Sequence, residues 1–338
     1  MSNPEPRAAV FGCAGKTLSA DERAFFREAD PLGFILFARN CEAPDQIRAL
    51  VRALRDAVGR ADAPVLIDQE GGRVQRLTPP HWRRYPAAAT LAALGAAAEE
   101  AVSLAARLIA DDLSTLGITV DCLPVLDIPV RGADAVIGDR AYGHEPGIVA
   151  RLGVAACRGL LAGGVLPVIK HIPGHGRATV DSHAALPTVT VDRATLEASD
   201  FAPFRALAGM PWAMTAHIVY TALDPAAPAT LSPKVIGEAI RSSIGFDGVL
   251  VSDDLSMKAL GGDFRERAAR ALAAGCDLVL HCDGDRKEMA AVAAGSASLT
   301  PAAHRRIARA EAQRQAVQPF DRRAAEARLD ALLGKPAA

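Results

Sequence analysis

Eight short runs of Val, Ile, Leu and Ala punctuate the chain, at residues 8–13, 33–37, 64–68, 118–125, 165–171, 212–216, 248–252 and 277–281. They show little polar alternation. Strands buried on both faces have this pattern, which implies a parallel sheet covered by helices. Between the runs lie stretches of helical period. Residues 43–58 bring Ile47, Leu50, Val51 and Leu54 to one face. Residues 90–116 read as one long Ala-rich helix with Thr90 as its N-cap. Residues 146–162, 193–208, 233–244, 264–274 and 286–294 fill the later gaps, and Pro233 directly after Ser232 is a helix-start signal. A strand–helix unit repeated about eight times predicts an α/β fold, a TIM-type (β/α)8 barrel in a single domain. The alternative is an open doubly wound sheet, but no glycine-rich dinucleotide fingerprint follows the first run. Residues 1–300 are assigned to the barrel. Residues 301–338, polar and Ala-rich, are assigned to C-terminal helices of the same domain, packed outside it and frayed at the end.

Composition narrows the function. The 338 residues are 50% hydrophobic and 23% charged, as in globular proteins. Lys plus Arg number 38 and Asp plus Glu 39, a net charge of -1, which argues against nucleic acid as a partner. No apolar run approaches the roughly 18 residues of a membrane span. The first 15 residues lack the basic start and long apolar stretch of a signal peptide, so a cytoplasmic protein is expected. The cysteines at 13, 41, 122, 157, 276 and 282 are scattered without a CxxC pair and read as buried free thiols.

In a barrel of this type the site lies at the C-terminal ends of the strands. Polar residues gather there in this sequence. The third run ends in DQEGGRVQR (68–76), the fifth in KHIPGHG (170–176) followed by DSH (181–183), and the seventh in SDDLSM (252–257). Charged groups directly after apolar strands are costly unless paired or functional. Asp181, two residues before His183 on a Pro/Gly-bearing loop, is placed to orient an imidazole for proton transfer, although the same pair also reads as a turn cap beside a solvated histidine. Asp253 and Asp254 offer a carboxylate nucleophile and a helix cap, and position alone does not divide those jobs. Asp68, Arg76, Arg140, Lys170 and His171 would supply the mixed donors and acceptors that grip an uncharged sugar, with a structural salt bridge as the other reading of each. Arg73 is the rival of Arg76, with Glu70 as its internal partner. The HxxxH spacing of His171 and His175 sits in a Pro/Gly loop rather than on the helix of a zinc hydrolase, and no metal is assigned.

These motifs, with IGDRAY (137–142) and GFDGVLVSDDLSM (245–257), resemble the family-3 glycoside hydrolases, and most closely the single-domain bacterial β-N-acetylhexosaminidase branch of peptidoglycan recycling. The likeness runs in the family's order over about residues 8 to 300. It implies a retaining exo-glycosidase with Asp253 as nucleophile, His183 as acid/base assisted by Asp181, and Asp68, Arg76, Arg140, Lys170 and His171 as sugar-binding residues. It implies a terminal β-linked N-acetylglucosamine on 1,6-anhydro-N-acetylmuramic acid, with or without peptide, as substrate, and no cofactor. Two-domain relatives take a Glu acid from a second domain, and no room for one is expected after residue 300. Ile172, where many relatives carry Phe, and Asp139, where Glu is common, depart from the pattern. A β-glucosidase or β-xylosidase of the same family, a metal-dependent barrel hydrolase and a non-catalytic sugar-binding protein are the alternatives. A monomer is expected.

Overall fold

The computed structural model describes residues 5–314 and 316–334. Each of the eight apolar runs contains one strand: β1 (Arg7–Phe11), β2 (Pro31–Leu36), β3 (Val65–Ile67), β4 (Val120–Asp121), β5 (Leu166–Ile172), β6 (Trp212–Thr215), β7 (Val249–Asp254) and β8 (Leu278–His281). Each pairs in parallel with the next, and β8 closes on β1 through the register Ala9–Val279, Val10–Leu280 and Phe11–His281. The result is the expected eight-stranded (β/α) barrel. Its two-faced strands explain the unbroken apolar runs. Side chains such as Val10, Leu66, Val168, Met214 and Val251 fill the barrel interior. Their neighbours Phe11, Ile67, Ile169, Ala213 and Leu250 face the surrounding helices.

Several helix boundaries differ from the expected ones. The stretch 90–116 is a short helix Ala88–Ala92, a 3-10 turn Gly95–Ala97 and a helix Ala98–Thr115. The chain turns at Gly95, whose φ of 59° only glycine adopts cheaply. Ala87, not Thr90, precedes the first of these, with no side-chain cap. The stretch 193–208 is likewise two helices, Arg193–Ala198 and Phe201–Ala206, parted at Ser199 and Asp200. Pro203 has no N–H to carry the helical ladder back across that break. Ser232 accepts a bond from the Val235 N–H, and the helix from Val235 to Ile244 is wound as a π-helix. A further helix, Ala20–Ala29, follows β1. Its capping box was present in the sequence: Glu22 N–H donates to Ser19 Oγ at 3.1 Å and Ser19 N–H to Glu22 Oε2 at 3.0 Å.

The C-terminal helices lie outside the ring of strands. Pro301–Gln313 crosses the N-terminal mouth of the barrel, where Ala303 and Ala310 join Leu166, Trp212 and Leu278 in the interior cluster. Arg322–Leu332 packs on Ala98–Thr115, and Arg322 pairs there with Asp111 and Asp112. The end expected to fray, from Lys335 onward, lies outside the described residues, as do Met1 to Pro4. Cys41 is half-buried and the other five cysteines are buried, all as free thiols. Among the described residues no helix is long and apolar enough to cross a membrane.

Candidate active site

The loop after β3 folds back as a two-stranded hairpin, Gln69–Gly71 against Val74–Gln75. Its turn uses Gly71 and Gly72 at φ 93° and 58°. A Cβ on Gly72 would lie 2.8 Å from that of Ala87, so the close approach requires glycine. Buried Gln69 pins the hairpin, its Oε1 accepting from Arg76 N–H at 2.9 Å and Leu77 N–H at 3.0 Å. Asp68 and Arg76 thereby meet at the rim, Arg76 Nη2 donating to Asp68 Oδ2 at 2.9 Å.

Lys170, at the end of β5, extends this pair into a chain of charges. Its Nζ lies 2.9 Å from Asp68 Oδ1 and 2.6 Å from Glu70 Oε1. Arg140 forks onto Glu70 with two bonds of 2.8 Å, the strongest geometry such a pair has. Burial pushes the Asp68 and Glu70 carboxyls up, and their cations more than reverse this, leaving both below the ordinary carboxylate range. Burial in turn opposes the charge of Lys170, and Asp68 and Glu70 restore it. Glu70 thus belongs to the ring and not to Arg73, as the sequence had suggested. Arg73 instead pairs with Asp139 at 3.0 Å. The signal for Glu70 lay in its spacing: in extended chain, residues 68 and 70 point to the same side.

His171 follows Lys170. Its Nδ1–H donates to Asp127 Oδ2 at 2.6 Å, so Nε2 is the nitrogen turned to the pocket. Burial pushes Asp127 up, but His171 holds it at about 2. Asp127 Oδ1 also accepts the N–H of His171 at 3.1 Å and of His175 at 2.6 Å.

The two carboxylates at the end of β7 divide their work. Asp254 is spent on structure, its Oδ1 accepting from Ser256 N–H at 3.0 Å and Cys282 N–H at 3.1 Å. Asp253 faces the pocket, its Oδ1 engaged by the neighbouring Asp254 N–H at 2.8 Å. Burial raises Asp253, and His171, with the bond from the Asp254 N–H, outweighs it, so its carboxyl is held below the ordinary range. Behind it, His217 Nε2–H donates to the Asp254 carbonyl at 3.0 Å, which leaves Nδ1 to accept from Thr230 at 2.7 Å. Thr230 meets Thr215 at 2.7 Å, and Thr215 Oγ1 accepts the Asp253 N–H at 3.3 Å. This chain fixes the backbone that carries Asp253.

On the loop after β5, Asp181 Oδ1 accepts both the backbone N–H and the Nδ1–H of His183, each at 2.8 Å. Nε2 of His183 has no partner among the described residues. Burial raises the Asp181 carboxyl, but the two bonds from His183 hold it low. Asp253, His183, Asp181, Asp68, Arg76, Arg140, Lys170 and His171 all line one pocket of about 250 Å³, with Ile35, Phe37, Met214, Leu280 and Cys282 as its apolar part. That volume suits one sugar ring, below the usual range for drug-sized ligands. A larger cleft of about 520 Å³ lies at the opposite end of the barrel. Its Arg7 and Arg60 are tied to the carbonyls of Ala29 and Leu32. Among the described residues no three His, Cys, Asp or Glu side chains converge as a metal-binding set.

Residues 16–312 match the family described as Glycosyl hydrolase family 3 N terminal domain. The chain belongs to glycosyl hydrolase family 3. Within the family it is 41% identical over 282 residues to a Beta-hexosaminidase of Alkalilimnicola ehrlichii, covering 81% of this chain and 80% of that one. It is 39% identical to a Beta-hexosaminidase of Pseudomonas aeruginosa, over 86% and 87% of the two chains. Crystalline NagZ from Neisseria gonorrhoeae in complex with N-trifluoroacetyl-D-glucosamine matches with a TM-score of 0.84 at 32% identity, over 98% of this chain and 97% of that one. A family 3 β-N-acetylglucosaminidase from Paenibacillus sp. matches with a TM-score of 0.81 at 35% identity, and this chain spans 62% of its length. This family 3 chain is a glycoside hydrolase.

Proposed function

We propose that the chain is a retaining exo-β-N-acetylglucosaminidase that releases terminal N-acetylglucosamine from peptidoglycan fragments, N-acetylglucosaminyl-1,6-anhydro-N-acetylmuramic acid with or without its peptide. It acts as a cytoplasmic monomer without a cofactor. The observation that carries the reading is the meeting of an ionised carboxylate, Asp253, with a carboxylate-oriented imidazole, the Asp181–His183 pair, in one sugar-sized pocket. The relatives named Beta-hexosaminidase, and the NagZ complex with a glucosamine derivative, support the N-acetylated sugar.

In the proposed reaction the ring of Asp68, Arg76, Lys170 and Arg140, with His171, binds the sugar hydroxyls through fixed donors and acceptors. Asp253 attacks the anomeric carbon from one face. His183, as the imidazolium, delivers its Nε2 proton to the leaving oxygen. Asp181 keeps Nδ1 protonated and stabilises the cation. Neutral His183 then takes a proton from water, which attacks the glycosyl-enzyme and restores Asp253. Two inversions give net retention. The usual pair is two carboxyl groups, and here an imidazole takes the acid's place.

Hydrolysis of 4-nitrophenyl β-N-acetylglucosaminide, beside the β-glucoside and β-xyloside and with EDTA in a parallel set, tests the reading. Release from the N-acetyl sugar alone, unaffected by EDTA, with the β-anomer formed first by NMR, is expected. Preference for the glucoside or xyloside would move the chain to another specificity of the family. Loss of activity under chelation would favour a metal-dependent hydrolase. Release of N-acetylglucosamine from the anhydro-disaccharide tests the natural substrate.

A further inference from the structure

The loop that carries His183 is open to solvent over most of its length. From Thr179 to Leu186 one side chain is buried, and it is Ser182, between the two residues of the proton-transfer pair. Burial alone would be served by alanine. Ser182 instead meets a second buried polar group, His175, whose Nε2 lies 3.0 Å from Ser182 Oγ. The Ser182 carbonyl accepts the N–H of Ala259 from the segment after β7. His175 is itself anchored, its backbone N–H on the Asp127 carboxylate that also orients His171.

The protonation of His175 follows from its surroundings. Burial, with His171 nearby, lowers it to about 4, so the ring is neutral at pH 7 and carries one proton. Nδ1 is buried and has no partner among the described residues. An unpaired lone pair costs less there than an unpaired N–H. The proton therefore sits on Nε2 and is donated to Ser182 Oγ.

We propose that His175 and Ser182 form a latch that holds the Asp181–His183 pair over the pocket, and that both are positioning residues for proton transfer to the leaving group. The inference rests on His183 being the acid, the reading given above. Through Asp127, the latch shares one support with His171. The sugar-binding side of the pocket and the acid-bearing loop are thus registered to each other by buried bonds, although the loop itself is exposed.

The test compares leaving groups. An activated 4-nitrophenyl glycoside needs little help from an acid, whereas a phenyl or methyl glycoside needs much. For Ser182→Ala, kcat/KM on phenyl β-N-acetylglucosaminide is expected to fall about tenfold, a part of the roughly 10²–10⁴-fold worth of general acid catalysis. The 4-nitrophenyl substrate is expected to lose about twofold. Ser182→Thr keeps the hydroxyl and restores most of the loss. His175→Gln, with an N–H donor near the Nε2 position, is the second probe and shows a smaller loss of the same pattern. His183→Ala is run in parallel and shows the pattern most strongly. Should His183→Ala be selective while Ser182→Ala affects both substrates equally or neither, the latch is overturned and the acid stands. If His183→Ala itself is not selective, the assignment of the acid fails and the latch falls with it.

Discussion

Lys170 and His183 line the same pocket, yet 2% of the Lys170 side chain reaches solvent against 67% of that of His183. Around Lys170 the cations Arg76 and Arg140 and the carboxylates Asp68 and Glu70 are all largely buried. The carboxylate bonded to His183, Asp181, is 40% exposed. Buried ions persist only when each has its counter-charge in place, so the ring is rigid before the sugar arrives. The loop holds no such buried ion pair and is tied down through Ser182, by His175 and by the N–H of Ala259. In the proposed reaction, sugar binding is therefore preorganised in the barrel rim, while proton transfer is mounted on a solvent-exposed segment held from beneath.

The largest effect should come where the reaction meets the rigid half. Asp253→Asn is expected to lower kcat by about 10⁴-fold or more, the scale of losing a nucleophile, without loss of N-acetylglucosamine binding by calorimetry. Asp254→Asn should do the opposite. It weakens the bonds from Ser256 and Cys282, costs about 1.5–3 kcal/mol of stability per charged bond lost, and spares most turnover. An active Asp253→Asn beside an inert Asp254→Asn would reverse the two roles.

Next is the cation at the centre of the ring. Lys170→Met leaves Asp68 and Glu70 facing each other with only the arginines, and should cost about 3–5 kcal/mol in urea unfolding with a raised KM. The pH dependence has a definite sign. The folded pKa values of Asp68 and Glu70 lie below their unfolded ones, so their contribution is present above the ordinary carboxylate range and is lost as pH falls through the folded values. Without Lys170 the two carboxyls take protons more readily, and the gap between variant and wild type should narrow on acidification. A gap that widens would mean that the ring is not held by charge.

His175 tests the seam between the halves. With its folded value near 4 and an ordinary value of 6.5, the folded protein refuses a proton that the unfolded chain accepts. From pH 6.5 down to 4 this group alone should remove about 1.4 kcal/mol of stability per pH unit. His175→Gln should flatten that part of the profile, and an unchanged slope would show that other groups set it.

The sequence made the ring of strands and the membership of the pocket legible for different reasons. The strands are buried on both faces, so their apolar runs stand out, and the polar tails of those runs mark the rim. Boundaries within helices were harder to see. The break at Ser199–Asp200 is held by Arg177, whose Nε donates to Asp200 Oδ2 at 2.7 Å across 23 residues, and local period carries no trace of such a contact. Position alone left Asp253 and Asp254 undivided for the same cause, and only the family resemblance favoured Asp253, since the N–H of Cys282 that occupies Asp254 comes from another strand's end. Glu70 was legible and overlooked, its two-residue spacing from Asp68 being a local signal. Nothing local marks Ser182 between Asp181 and His183, and only the fold brings His175 beneath it.

The smallest effect should lie at the rim, and it bounds the ring. Arg73 and Arg140 grip the same segment from two sides. Arg140 ends the turn Gly138–Arg140 and is buried on Glu70. Arg73 is 47% exposed, pairs with the half-exposed Asp139, and donates Nη2 to the carbonyl of Ala135 at 3.0 Å. An exposed pair of this kind contributes under about 1 kcal/mol. Arg73→Ala should therefore change the urea midpoint little and raise KM by about twofold, as the 135–139 segment loosens above a ring that stays intact. Because the ring's charges are paired without it, its loss leaves no buried ion exposed to an empty site. A rise in KM as large as that of Lys170→Met would show that the sugar contacts extend to the rim. The boundary between the buried grip and the exposed loop would then have to be drawn outside Arg73 rather than inside it.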